Sequence, residues 1–359
     1  MTSARRHSLA DVLDHQREAC ARAGSAMYAD VLAGVVADVA DGGVCDRVLG
    51  PHADDSLATA LPLRFLGAVH RLVLDGRAPA LAGHYPSAGG TPGPTLVADF
   101  LAAVADLRPA VEQRLDHTVQ TNEVGRSAVL VGGYAEIARR SALPLRVLEV
   151  GASGGLNLRW DHYWYDTGES TFGDPGSTVR FAGAWQDDGA GLPDVGACAE
   201  VAERAGCDRN PLDVTTDEGR LTLRSYLWPD QVERRARLDA ACEVAARVPV
   251  PVTAGDLGAW VEERLAEPAP GVATVVTHSI VWQYVGRDSR DRLRRALRAA
   301  GERATPGAPV AWLRFEPAGA VGDLRLTWWP GGDEAVLATA EYHGVPVYWG
   351  SGADQAVAG

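Results

Sequence analysis

Twelve residues near the middle of the chain, Leu145-Arg146-Val147-Leu148-Glu149-Val150-Gly151-Ala152-Ser153-Gly154-Gly155-Leu156, constrain the fold more than any other stretch. The apolar run up to Val150 carries a single carboxylate, Glu149, and stops at Gly151. Such a run bounded by glycines reads as a buried strand of a parallel sheet. Gly151, Ser153, Gly154 and Gly155 then form a turn of small residues that lets the backbone approach a ligand closely. A helix starting behind the turn would direct its N–H groups at that ligand.

Residues 8 to about 140 read as helices. Ser8 is a candidate N-cap. Leu61, Leu63, Leu66, Val69 and Leu72 space out as one buried helical face. The break Gly83-His84-Tyr85-Pro86-Ser87-Ala88-Gly89-Gly90-Thr91-Pro92-Gly93-Pro94 cannot continue a helix and reads as a loop, either a plain connection or a pocket edge carrying His84 and Tyr85. Thr121 or Asn122 can cap the helix that leads to Leu145, with Glu123 in its first turn and Arg126 just beyond. That arrangement sets Asn122, Glu123 and Arg126 beside the glycine-rich turn.

Downstream, strands alternate with helices. Trp160, Tyr163, Trp164 and Tyr165 open an aromatic-rich insertion over about residues 160–200, read chiefly as core. Residues 178–185 read as a strand, and 199–207 as a short helix or a passage from helix to strand. Val250–Asp256, Ala273–Ser279 and Ala308–Glu316 read as further strands, and Arg287–Gly301 as a basic amphipathic helix. The segments 324–329 and 334–341 flank Pro330-Gly331-Gly332-Asp333 as a hairpin. Alternation of this kind predicts a Rossmann-like, doubly wound, mostly parallel α/β sheet, with an antiparallel C-terminal hairpin and a helical N-terminal region. The expected boundary falls at residues 141/142. Ligands of such a sheet lie outside the C-terminal ends of its strands, which here carry Glu149 and Gly151, Asp208, Asp256, His278 and Glu316.

Composition narrows the function classes. A net charge of −13 argues against an extended nucleic-acid surface, which draws its affinity from Lys and Arg. Five scattered cysteines without a CxxC pair predict neither a disulfide framework nor a zinc site, and a reducing cytoplasm is the expected setting. No apolar run has the length of a membrane span, and Met1–His7 does not open a signal peptide.

Glu149-x-Gly151-x-Ser153-x-Gly155 resembles the first motif of class I S-adenosylmethionine (SAM)-dependent methyltransferases, with Ser153 where the middle glycine usually stands. The resemblance implies a class I methyltransferase-like fold and SAM as cofactor, with Glu149, Gly151, Ala152, Ser153 and Gly155 as its floor. It further implies that Asp208 holds the ribose hydroxyls and that Asp256 and Leu257 lie on the adenine side. Asn122, Glu123 and Arg126 would come in from the preceding helix, and His278 would serve as base where the acceptor must lose a proton. The expected substrate is a small molecule. Over nearly its full length the chain also resembles a bacterial family, domain of unknown function 2332. That resemblance rests on residues 120–126, 149–158, Asn210-Pro211-Leu212-Asp213-Val214 and Trp228-Pro229-Asp230-Gln231, and it implies no activity.

Two other readings compete. Gly151-Ala152-Ser153-Gly154-Gly155 satisfies the Gly-x-Ser-x-Gly nucleophile elbow, with Asp256 and His278 following in hydrolase order. Against it, the chain before the turn reads as helices rather than the strands a hydrolase sheet needs. The other is a protein of methyltransferase fold that binds SAM, or uses it for another alkyl transfer or a cyclisation, without transferring methyl groups.

Overall fold

The structure is a computed structural model and describes residues 8–53, 55, 59–198 and 200–350. The expectation for Met1–His7 lies outside the described residues, as does Ala199 in the segment before Val201. Two compact units are present: one built from the chain up to Thr121 together with Arg220–Ala236, the other from Asn122–Gly219 and Arg237 onward. The helix Ser127–Ser141 thus groups with the sheet, and Arg220–Ala236 groups with the N-terminal helices.

The first unit is helical, with α-helices at Leu9–Arg22, Ala26–Ala40, Val44–Leu49, Leu61–Leu74, Leu96–Asp106 and Arg108–Leu115. Ser8 caps the first in a reciprocal capping box with Asp11. Leu61–Leu74 is buried on nearly every side rather than on one face, with Leu63 only half-buried. Its polar residues find partners: Arg64 pairs with Asp55 at 2.9 Å, though its Nε stays unbonded, Arg71 pairs with Asp75 at 2.9 Å, and His70 meets Ser87 Oγ at 2.7 Å and the Ser225 carbonyl at 3.1 Å. The Gly/Pro break is an ordered loop folded around its own histidine. His84 Nδ1 accepts from the Gly93 N–H, and Nε2 meets Asp99 at 2.7 Å.

The second unit is a large, mostly parallel sheet with helices. Its strands are β1 Leu145–Val150, β2 Trp164–Asp166, β3 Thr171–Gly173, β4 Arg180–Ala182, β5 Trp185–Gln186, β6 Val201–Asp208, β7 Val252–Ala254, β8 Ala273–Ser279, β9 Val310–Ala318, β10 Val321–Trp329, β11 Asp333–Ala340 and β12 Val347–Trp349. Nine of them form one sheet in the order β5-β12-β11-β10-β9-β8-β1-β6-β7. The run β9-β8-β1-β6-β7 is parallel, and β9 to β12 fold back antiparallel, so the expected hairpin is part of a longer meander.

Two of these strands depart from expectation. Residues 201–208 are strand β6 throughout, so of a short helix or a passage from helix to strand only the strand of the second is met, ending at Asp208. The segment has little apolar pattern of its own, and its conformation comes from pairing between β1 and β7. The stretch 178–185 breaks into β4 and β5 at Gly183, whose φ of +69° turns the chain from one sheet to the other.

Leu148 and Val150 face a core shared with Trp260, Val261, Leu293 and Leu297 from the helices Leu257–Arg264 and Arg287–Glu302. The opposite face is covered by the helix Ser127–Ser141, whose Gly133 admits the Leu313 side chain of β9. Trp160, Tyr163 and Tyr165 of the insertion are buried, with Trp160 stacked on Tyr134 at 4.4 Å. They are core, in line with their spacing. No helix among the described residues is long and apolar enough to cross a membrane.

Candidate functional site

From β1 the chain winds outward through β6 and β7, then returns to β8 and β9 on the other side. The winding reverses between β1 and β8, and the C-terminal ends at such a reversal are the position where open sheets wound in this way take ligands. Two loops border it, the turn Gly151–Leu156 after β1 and Ile280–Tyr284 after β8.

The turn is held almost entirely by the protein. The N–H groups of Gly151 and Ala152 donate to the Cys207 carbonyl at 2.8 and 3.2 Å, and that of Gly155 to Ala152 at 2.7 Å. The Ser153 N–H donates to Asp208 Oδ2 at 2.9 Å and the Leu156 N–H to Asn122 Oδ1 at 2.9 Å. The turn leads into a 3-10 helix, Asn157–His162, in place of the expected α-helix. The start of that helix therefore offers no long dipole to a ligand.

The glycines have a different reason from the one their sequence implies. A Cβ on Gly151, whose φ is +71°, would lie 2.3 Å from Val281 Cγ2, and one on Gly154 would lie 2.2 Å from Val214 Cγ1. At these two positions it is the chain's own side chains that approach the backbone. Val214 belongs to the Asn210–Val214 segment, whose Leu212 N–H donates to the Ser153 carbonyl at 3.3 Å. Ser153 itself takes φ +51°, the left-handed conformation a glycine adopts freely.

Glu149 points away from the Leu148–Val150 core, beside Thr277 in register on β8. It is 3 % exposed, and its Oε2 has no hydrogen-bond partner. Burial, with the Asp208 carboxylate adding to it, pushes its carboxyl up to about 8, so Glu149 carries its proton at neutral pH. Asp208 is the last residue of β6, half-buried. Each of its oxygens accepts one backbone N–H, from Ser153 and from Asn210 at 2.9 Å. A second acceptor position remains on each oxygen.

Asp256, past the end of β7, is exposed and caps the helix Leu257–Arg264 through the Ala259 N–H at 2.8 Å. Burial pushes its carboxyl up, but that N–H, together with Ser289 and Arg292, outweighs it and holds the group below the usual carboxylate range. Leu257 is buried in the core beneath the strand ends. Of the residues before β1, Asn122 reaches the turn, whereas Glu123 caps its own 3-10 turn through the Gly125 N–H at 3.0 Å. Arg126 donates to the Ser279 carbonyl and the Tyr342 carbonyl, both at 3.1 Å, joining the end of β8 to the loop after β11.

His278 is fully enclosed. Its Nε2 accepts from Trp312 Nε1–H at 3.0 Å, so Nδ1 carries the proton and donates to Glu316 Oε1 at 2.6 Å. No ring nitrogen is left to take a proton from a substrate. The hydrolase constellation is also not assembled: Asp256 follows β7 and His278 lies on β8, three strand spacings or about 14 Å apart, and each is committed to another partner.

Two residues just past the glycines, one within the 149–158 segment and one beyond it, position the site without being singled out as site residues in the sequence. The Arg159 guanidinium donates to the carbonyls of Gly154 and Gly155 at 3.2 and 2.7 Å and to Val248 at 2.7 Å, bracing the turn from behind. Asn157 accepts from Ser127 at 2.8 Å and donates to the Glu123 carbonyl at 3.3 Å. An Asn two positions and an Arg four positions past Gly155 were the available signal for both. Among the described residues no group of three or more His, Cys, Asp or Glu side chains could hold a metal ion.

A family model described as an uncharacterized protein conserved in bacteria (DUF2332) matches residues 10–349. No curated protein and no solved structure matches the chain. The chain belongs to the DUF2332 family.

Proposed function

We propose that this DUF2332 member binds SAM at the C-terminal ends of β1 and β8 and is a methyltransferase-like enzyme acting on a small molecule. One observation carries the reading: Asp208, at the end of the strand next to β1, is fixed against the glycine-rich turn and still has acceptor capacity on both carboxylate oxygens. A carboxylate so placed is suited to a pair of ribose hydroxyls, and a sheet that reverses direction beside β1 has the Rossmann-like winding that goes with such ligands. In this reading Asp208 serves the ribose, Gly255–Leu257 the adenine side, and Gly151–Gly155 with Glu149 the floor, whose N–H groups at Gly151, Ala152, Ser153 and Gly155 are already bonded within the chain.

Bound SAM supplies a methyl group already activated by its sulfonium, so the chain's task is chiefly alignment. Arg159, Asn122 and Asp208 hold the turn rigid, and Val281 closes over Gly151. Glu149, protonated at neutral pH, presents a neutral carboxyl near the end of β1. The second reading, SAM binding without methyl transfer, is favoured by the engagement of both His278 nitrogens.

Calorimetric titration of the purified chain with SAM and S-adenosylhomocysteine tests the cofactor. Saturable binding of both is expected, and folded protein that binds neither rules the reading out. Asp208→Ala should weaken binding at least tenfold, about 1.4 kcal/mol; unchanged affinity would mean that the ribose contact lies elsewhere. Transfer of labelled methyl groups from SAM to an extract of small metabolites separates the two readings.

A further inference from the structure

Ser289 and Arg292 of the basic helix Arg287–Glu302 support Asp256, but the arginines on its Trp282 side take no part in the cofactor reading. The helix's arginines, at 287, 290, 292, 294, 295 and 298, outnumber Asp288, Asp291 and Glu302 in a chain whose net charge is −13. Arg290 and Arg294 stand one helical turn apart on one face. Their guanidinium carbons lie over the Trp282 ring, 5.9 and 5.0 Å from its centroid. Among the described residues Arg290 has no carboxylate within ion-pair distance, and Arg294 has only Asp291 at 3.5 Å.

The ring beneath them is fixed. Trp282 stacks on His278 at 5.2 Å and 10°, and its backbone N–H donates to both oxygens of Glu316 at 3.3 Å. Glu316 also accepts from the Val281 N–H at 3.1 Å and from His278 Nδ1–H, while Trp312 closes the other side of His278. The loop so held contains Ile280 at φ +50°. A β-branched residue there costs about 1–3 kcal/mol and persists only where its surroundings over-determine it. An exposed cation–π contact, at about 0.5–1 kcal/mol, is too weak to explain the arrangement as a stability device. What the arrangement accomplishes is to seat two guanidiniums on one rigid ring. A guanidinium that uses its face on an aromatic ring keeps its N–H fork for an oxyanion.

We propose that Arg290 and Arg294, seated on Trp282, form a binding site for a phosphate monoester beside the C-terminal end of β8. Two cations match the charge of about −1.5 to −2 on that group, whereas a single carboxylate fills one guanidinium fork. The site does not depend on the cofactor reading, since no residue that would hold SAM takes part in it.

The test is calorimetric titration of the full chain, without SAM, with inorganic phosphate and separately with acetate, at low ionic strength. Saturable millimolar binding of phosphate, at least tenfold tighter than acetate, is expected. The Arg290→Gln/Arg294→Gln variant should lose it by at least tenfold, while Arg298→Gln, on the same helix beyond the ring, should keep it. An Arg290→Lys/Arg294→Lys variant, which keeps the charge without the planar fork, should fall between. Unfolding curves of each variant establish that it is folded. Absence of phosphate binding, equal affinity in the double Gln variant, or an equal loss in Arg298→Gln overturns the proposal. Phosphate binding by a chain that binds no SAM would defeat the cofactor reading alone.

Discussion

The backbone N–H of Ser153 donates to Asp208 Oδ2 at 2.9 Å, tying the turn after β1 to the end of β6. The Asn210 N–H takes the other carboxylate oxygen, so one side chain organises two loops. In Asp208→Asn the amide can serve only one of them and turns its own N–H toward the other. The expected loss is about 1–3 kcal/mol, read as a lower urea midpoint with an unchanged slope. Equal midpoints would show that the carboxylate does not organise the turn.

Gly151→Ala adds a methyl group at φ +71°, 2.3 Å from Val281 Cγ2. The backbone contribution is about 1–2 kcal/mol, and overpacking adds about 1–3 kcal/mol. Val281→Ala removes the closest of the overpacking contacts and leaves only Val281 Cβ at 2.9 Å, so the double variant should be more stable than the two single losses predict. A double-mutant cycle measures the difference; strict additivity would mean that Val281 does not close over Gly151 in solution.

Glu149 fixes a pH dependence. Its carboxyl is raised from 4.5 to about 8 by burial and by Asp208. The folded chain therefore keeps a proton that the unfolded chain gives up. The stabilisation is complete below the unfolded value and is lost as pH rises through that interval, by about 1.4 kcal/mol per unit. The wild type should be less stable at about pH 9 than at about pH 5 by a few kcal/mol, and Glu149→Gln, which cannot ionise, should lose most of that slope. Parallel curves for the two proteins would place the Glu149 charge in a solvated setting.

Glu316 accepts hydrogen bonds from His278 Nδ1–H and from two backbone N–H groups. Glu316→Gln replaces one acceptor oxygen with a donor, and the loop carrying Ile280 loses its fastening. Hydrogen exchange at Val281 and Trp282 should accelerate by at least tenfold, about 1.4 kcal/mol of local opening, while the β1 amides stay protected. Unaltered exchange would mean that the loop is held by other contacts.

His70 supplies a second titration, of opposite sign. Burial lowers it to about 4, against an ordinary 6.5. Its contribution to stability is complete above the unfolded value and is lost as pH falls toward 4. Thermal melts across that interval should show a loss of about 1.4 kcal/mol per unit, and His70→Gln should flatten it.

Where local pattern and tertiary context agree, the sequence is a sufficient guide. The apolar run of β1, the hairpin β10–β11 around Pro330–Asp333, the helices from Leu9 onward and the buried aromatics of the insertion are set by residues a few positions apart. Strand β6 is not, because Val201–Asp208 owes its conformation to β1 and β7 on either side. The site is legible in the same divided way. The glycine-rich turn and the acid at the end of β6 stand out in the chain, whereas the bracing by Arg159 and Asn157 rests on distant contacts that the sequence pattern does not announce.

By itself the sequence determined where a strand must end in a tight turn, and that the chain has the periodicities of an α/β sheet preceded by helices. It also placed the carboxylates of Glu149 and Asp208 at strand ends. Only the tertiary structure decided what those groups are. It buried Glu149 until its proton stayed on, and it closed Val281 and Val214 over Gly151 and Gly154. It also committed both nitrogens of His278 to Glu316 and Trp312. Periodicity is a property of neighbours along the chain, but protonation state and hydrogen-bond saturation depend on which distant residues share the same few ångströms.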